Sequence, residues 1–341
     1  MTYLVGKIAL DIIAGAPNNG RGEDNIALVK QTRIHGKIHA YVSAQAFRRW
    51  LRDSLPADEP RSGVTRSGSG ASQQAFTEGR PDRYLDDDLF GYMVAVKKSN
   101  FQRDTVLATG TLVAVAPQAP TRDFGTMSRG FAADENPVIH EHEHYTADVA
   151  GDVLLDLPRV GTFEMGGSGL RTALPAEAAE NAEQAGAERV TFRGVGALRM
   201  PIAERRRRVA LLLRALASVR GGAKRSLHYG DRSPAFVLLA PIKGGINPFT
   251  RVLRAQGQQT VFDADVLREE LDAWADELDD PVSIGWAPGF LGDQRERART
   301  ELTDLIGSGR VVIDHPRVVL TGLAEQVEDG AQDTWFEDPT E

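Results

Sequence analysis

Between Tyr3 and Ile13 an apolar, β-branched run is broken by polar side chains at Lys7 and Asp11, a pattern that predicts a first strand. Ala16-Pro-Asn-Asn-Gly-Arg-Gly then marks a loop. Ser43 has the chemistry of a helix N-cap. Ala44, Phe47, Leu51 and Leu55 follow at spacings of three and four and predict a helix over Gln45–Leu55, closed by Pro56. Arg48, Arg49 and Arg52 lie off its apolar stripe and should point to solvent or a ligand. Pro201 to Val219 is the clearest helix, with Val209, Leu212, Leu213 and Leu216 as its buried stripe and Gly221-Gly222 as its stop. Pro234 to Ile242 reads as a buried strand. Two more helices are expected at about Ala264–Leu278 and Gln294–Ile306, with short strands near Val282 and Val311. His140 to Val149 alternates as a strand does, and Leu154, Leu155 and Leu157 extend it. Pro60–Asp82 reads as a flexible surface segment, and Pro117–Pro137 carries only scattered hydrophobes, Phe124, Met127 and Phe131. Strands and helices interleave without a regular βα alternation. The expected class is therefore α+β with insertions, compatible with a ferredoxin-like, RNA-recognition-motif sheet.

Composition narrows the classes. The chain has 341 residues, 41% of them hydrophobic and 26% charged, which is globular. Its longest apolar stretches fall far short of the roughly 20 residues of a membrane span, so no membrane contact is expected. The residues after Met1 lack the basic head and cleavage site of a signal peptide. Cysteine is absent, which excludes disulfides, thiolate metal sites, iron–sulfur clusters and cysteine nucleophiles and fits a cytoplasmic location.

Charge changes the picture more. The net charge is −8, yet it is segregated. From Arg21 to Arg52 there are seven basic and two acidic residues; from Arg199 to Arg225, nine basic and one acidic. Asp263 to Asp280 holds nine acids and one base, and Glu325 to Glu341 seven acids and no base. One positive face on an acidic body, with an acidic C-terminal tail over 325–341, is the expectation.

Catalytic chemistry is poorly represented. No phosphate-binding Walker loop, dinucleotide fingerprint or nucleophile elbow occurs. In His140-Glu-His-Glu-His the three histidines share one strand face about 6.6 Å apart, too far for all to hold one ion, so no metal or other cofactor is expected. Asp86-Asp87-Asp88 reads as a solvated cap. Glu23 and Asp24, in the loop after the first strand, read by default as turn or capping residues, and a carboxylate there can also orient a hydroxyl or metal for RNA cleavage. The stronger signals are basic. Ser43-Ala-Gln-Ala-Phe-Arg-Arg-Trp-Leu-Arg joins a helix N-terminus to Gln45 and three arginines, and Gly221-Gly222-Ala-Lys224-Arg225 lets backbone approach a ligand beside two cations. Together they describe a track for a sugar-phosphate backbone.

Four motifs in order carry a family resemblance. Tyr41-Val-Ser-Ala-Gln-Ala-Phe-Arg-Arg-Trp-Leu-Arg-Asp resembles the first-helix signature of the "Cas seven" backbone subunit of type I CRISPR Cascade complexes. Asp86-Asp-Asp-Leu-Phe-Gly-Tyr-Met resembles the DevR-type, type I-B branch of that family in the RAMP superfamily. Gly221 to Arg225 resembles its glycine-and-lysine motif, and Asn19-Gly-Arg-Gly-Glu-Asp-Asn the loop after its first strand. The resemblance implies a single domain over 1–341: a modified RNA-recognition-motif palm, fingers over 55–86 and a long thumb over 93–144. It implies a non-catalytic subunit that lines up head-to-tail along a CRISPR guide RNA as a helical filament, contacts other Cascade subunits, and presents guide bases for pairing with target DNA. By motif position Ser43, Gln45, Arg48, Arg49, Arg52, Gly221, Gly222, Lys224 and Arg225 are guide contacts, with Arg21 a weaker one. Met93 would open the thumb, and Phe124, Met127 and Phe131 are candidate base wedges by apolar character. The alternative is a type III-like backbone endoribonuclease that cuts target RNA through Asp24 or Glu23.

Overall fold

The computed structural model describes residues 1–338 except 23–25, 70–72, 97–98, 128, 133–134, 137 and 168–169. Eight α-helices are assigned among the described residues: α1 (Ala44–Ser54), α2 (Leu85–Phe90), α3 (Ala176–Gln184), α4 (Ile202–Leu216), α5 (Ala264–Ala273), α6 (Gln294–Glu301), α7 (Thr303–Gly307) and α8 (Pro316–Glu328). They surround a large, mostly antiparallel sheet. Its path runs Val311–Asp314, Val282–Trp286, Phe236–Lys243, Thr2–Gly15, Val138–Asp156, Leu112–Ala114, Lys37–Val42 and Gln31–Ile34. The first two of these strands are parallel to each other.

Both faces of the central strands are covered, which explains their continuous apolar runs. In Phe236–Lys243, Val237 and Leu239 join the core shared with α1, α4 and α8, while Phe236, Leu238 and Ala240 join the core shared with α5, α6 and α7. The polar breaks of the first strand are accommodated individually. Lys7 is buried and pairs with Asp152 at 2.7 Å. A satellite unit over residues 162–199, with α3 on a small antiparallel sheet, has its own core around Phe163, Leu174 and Leu198.

The strand Val138–Asp156 belongs to two structures. Its second half pairs with the first strand, from Gly15↔Tyr145 to Tyr3↔Asp156. Its first half leaves the body and pairs with Thr121–Met127 as an arm, and Ile26–Ala27 lies parallel along the arm's other edge. Every residue of Thr121–Met127 is exposed. Segment 93–144 thus divides in three: the hairpin Tyr92–Val96/Ser99–Arg103, two short strands in the central sheet, and the arm. Segment 55–86 contains an exposed hairpin, Val64–Ser67 with Gln74–Thr77, where the sequence suggested flexible chain.

Three sequence-based readings are corrected by burial. Asp86, Asp87 and Asp88 are not a solvated cap: all three are buried in α2. Asp88 accepts from Arg208 Nη1 at 2.7 Å and from the Gly161 amide at 3.0 Å, and it pairs with Arg103. Asp87 accepts from the Arg80 amide, and Asp86 from the Ser62 amide. The acidic C-terminal segment is not a free tail either, since α8 packs on α4 and Trp335 and Phe336 are buried. Finally, the arginine run of α4 is not a positive face. Arg205 donates to the carbonyls of Val160, Pro158 and Phe336; Arg206 pairs with Asp333, Arg207 with Glu59 and Glu204, Arg208 with Asp88 and Glu204, and Arg214 with Glu328. Folding brings the acidic end of the chain back onto its most basic helix.

Candidate nucleic-acid interface

Three pieces far apart in sequence meet at one junction. Ser43 is the N-cap of α1, its Oγ accepting from the Ala46 amide at 3.4 Å. Its own amide donates to Asn18 Oδ1 at 2.9 Å, tying the loop after the first strand to the helix start. The next residue of interest in that loop, Pro17, accepts from the Ala223 amide at 2.8 Å. Arg220 donates its amide to Ser54 Oγ at 2.8 Å, at the other end of α1. The glycines make this close approach possible. Gly221 has φ +152°, and a Cβ there would lie 2.5 Å from Trp50 Cγ; Gly222 has φ +92° and faces Pro17. The chain that the glycine turn approaches most closely is therefore its own.

Cations at this junction differ in how far they are neutralised. Arg48 donates to Thr109 Oγ1 at 3.3 Å and makes no ion pair among the described residues. Burial, joined by repulsion from Arg52, pulls its guanidinium below the ordinary value. Lys224, held at φ +56°, and exposed Arg225 likewise make no ion pair among the described residues. Arg21 and Gln45 are exposed. Arg49 is occupied by Asp53 at 2.8 Å, and Arg52 turns inward, 3.5 Å from Asp86 and 5.0 Å above the Phe90 ring. Glu23 and Asp24 lie outside the described residues.

The arm approaches the same region. His142 and His144 face His228, with ring centroids 5.0 and 5.3 Å apart. Burial, reinforced by these two rings, holds His228 below the usual imidazole value of 6.5. His140 is exposed, and among the described residues no group of His, Cys, Asp and Glu is arranged to hold a metal ion. On the arm Phe124 is 67% exposed and Met127 53%. Phe131 is half-buried, and Met93 is exposed on the separate 92–103 hairpin.

Sequence reasoning missed the residues that build the junction. Asn18, Pro17 and Trp50 carry no ligand chemistry of their own, and their role emerges only when the pieces meet. Arg232, 3% exposed, has no carboxylate partner among the described residues; its signal in the sequence is only a lone arginine after Gly-Asp.

No family model matches the chain, and no curated protein does by sequence. Solved structures do. A chain titled "CRISPR RNA-guided surveillance complex" is similar in fold with a TM-score of 0.56 and 15% identity, over 95% of this chain and 98% of that one. Another, titled "CRISPR RNA-guided surveillance complex, pre-nicking", has a TM-score of 0.58 and 11% identity, over 95% of this chain and 100% of that one.

Proposed function

We propose that this chain is the guide-RNA-binding backbone subunit of a type I CRISPR Cascade complex, in the DevR-type branch. Its central sheet with α1 and α4 serves as the RNA-recognition-motif palm, and copies line up head-to-tail along one guide RNA. The observation that carries the reading is the junction of loop 16–22, α1 and the 220–225 turn. It joins α1, which carries Arg48, to the turn that carries Lys224 and Arg225, cations that make no ion pair among the described residues, in a fold similar, end to end, to chains of RNA-guided surveillance complexes. Uncompensated cations beside a helix N-terminus suit a phosphate backbone and read no bases. The exposed arm, with Phe124 and Met127 near its end, is the element that reaches the next copy and separates guide bases. Base pairing with target DNA then supplies sequence recognition, and the subunit cuts nothing itself.

The test is the nucleic acid that travels with the protein. Expressed with a CRISPR array and its companion subunits, the chain should co-purify with RNA of one defined length, several copies per RNA. With magnesium, the assembly should leave a complementary RNA target intact. Nucleic acid of random length, or one copy per RNA, would sink the backbone reading. Regularly spaced cleavage that vanishes in Asp24→Ala would replace it with a ribonuclease.

A further inference from the structure

Beside the glycine turn lies a second basic feature, which shares Gly221 and Arg225 with the proposed guide track and extends beyond it. A cleft of about 380 Å³ opens between the end of α4, the 225–233 segment and the start of α8. Its charged and polar lining includes Arg220, Arg225, Arg232, His315 and Arg317. We propose that this cleft is a binding site for a phosphate group.

The buried cation is the first argument. Arg232 is 3% exposed, yet among the described residues its Nε has no partner and its Nη1 donates only to the Asp231 carbonyl at 2.9 Å. A buried guanidinium normally has a carboxylate. Burial, with repulsion from Arg225, holds Arg232 below its ordinary value although Asp231 pulls the other way. Asp231 attracts Arg232 only through space and makes no ion-pair contact with it: its carboxylate oxygens accept from the Arg232 and Ser233 amides and the Ser233 hydroxyl. Tyr145, 1% exposed and electrostatically linked to Arg232, also has a hydroxyl with no partner among the described residues.

The second argument is independent of the first. α8 is a 13-residue helix whose N-terminus, capped by His315 Nδ1 accepting from the Arg317 amide, abuts the cleft. Its dipole adds positive potential where Arg220 and Arg317 flank the opening. A tetrahedral oxyanion supplies what both features lack, with several acceptor oxygens and up to two charges. The phosphate could belong to an RNA backbone or be a free ion, and the inference stands without the RNA reading.

The experiment titrates the full-length protein with inorganic phosphate, against chloride at equal ionic strength, following melting temperature and amide chemical shifts. Phosphate should stabilise the protein where chloride does not, and Arg232→Met should weaken that response about 10-fold or more. Because Arg232 is buried, Arg220→Ala with Arg317→Ala provides a surface variant that should weaken it too, while Arg48→Ala should leave it intact. Saturating guide RNA separates the sources. An RNA phosphate in the cleft would abolish the response to free phosphate, whereas a free-ion site would respond equally with RNA bound. A phosphate response no larger than that to chloride, or one that persists unchanged in both cleft variants, overturns the proposal.

Discussion

The arginines of α4 and the cations around α1 have opposite fates. Arg205 to Arg208 form the densest basic run in the sequence, yet each is consumed internally by a carboxylate or carbonyls, and Arg205 and Arg208 are buried. Arg48 on α1 and Lys224 and Arg225 on the 220–225 turn lie far apart in sequence, and none makes an ion pair among the described residues. Local charge density in a sequence therefore says little about where positive potential emerges. What decides it is which acids the fold returns to each base. Here Glu328 and Asp333, from the acidic C-terminal segment, return to α4. No carboxylate among the described residues pairs with Arg48.

The hardest test of this contrast lies at Asp88, where Arg208, Arg103 and the Gly161 amide converge on one fully buried carboxylate. Replacing Arg208 by Met leaves Asp88 and Glu204 short of a partner without opening a large void. Removing one member of a buried ion network costs about 3–5 kcal/mol. Urea unfolding of Arg208→Met should show that loss, with RNA affinity per folded molecule unchanged. Unaltered stability would mean that the α4 network is decorative.

A smaller effect, on both sides of the comparison at once, is expected at the glycine turn. A Cβ at position 221 would press into Trp50, and its φ of +152° disfavours any side chain. Gly221→Ala should cost about 1–3 kcal/mol by overpacking and strain. It should also lower RNA affinity, because the turn that presents Lys224 shifts against α1. Loss of stability with wild-type RNA binding would separate the turn from the interface.

The elements themselves were largely legible. α1, α4 and the strands at Thr2–Gly15 and Phe236–Lys243 appear where periodicity placed them, because each has one dominant apolar pattern. The expected helix over Gln294–Ile306 divides into α6 and α7 near Leu302. The arm strand Thr121–Met127 was invisible because both of its faces are exposed, so no alternation marks it. Asp86 to Asp88 misled for a related reason. A carboxylate run looks solvated until the Arg80 amide, Arg103 and the distant Arg208 are seen to enclose it. The ligand-facing candidates were legible as residue types, but not which of them would be neutralised: Arg49 and Arg52 look like Arg48 in the sequence and differ only through Asp53 and Asp86.

A weaker signal should come from acid. Burial pushes the Glu204 carboxyl up, but Arg207 and Arg208 more than offset this and hold it below the ordinary 4.5. The folded value lies below the unfolded one, so the contribution is complete above pH 4.5 and disappears as pH falls through the folded value. Glu204→Gln should therefore flatten the stability profile below pH 4.5 relative to the parent. Identical slopes in urea titrations across that range would remove Glu204 from the network.

The smallest stability change, and the sharpest contrast, belongs to the junction. Arg48→Ala, Lys224→Ala and Arg225→Ala together remove three cations that make no ion pair among the described residues. Substitutions away from such features usually stay within about 0.5 kcal/mol each. Removing mutually repelling like charges offsets part of that, so unfolding of the triple variant should nearly overlay the parent. Its RNA binding should not. Each phosphate contact on a single strand contributes about 0.7 to the slope of log affinity against log salt, so losing three should flatten that slope by roughly 2. The loss should be equal on RNAs of different sequence, because phosphates carry no base identity. A fluorescence anisotropy series over salt, on two unrelated RNAs, measures both. If the slope is unchanged while stability falls, these three cations belong with Arg205 to Arg208 as structural charges, and the interface lies elsewhere on the molecule.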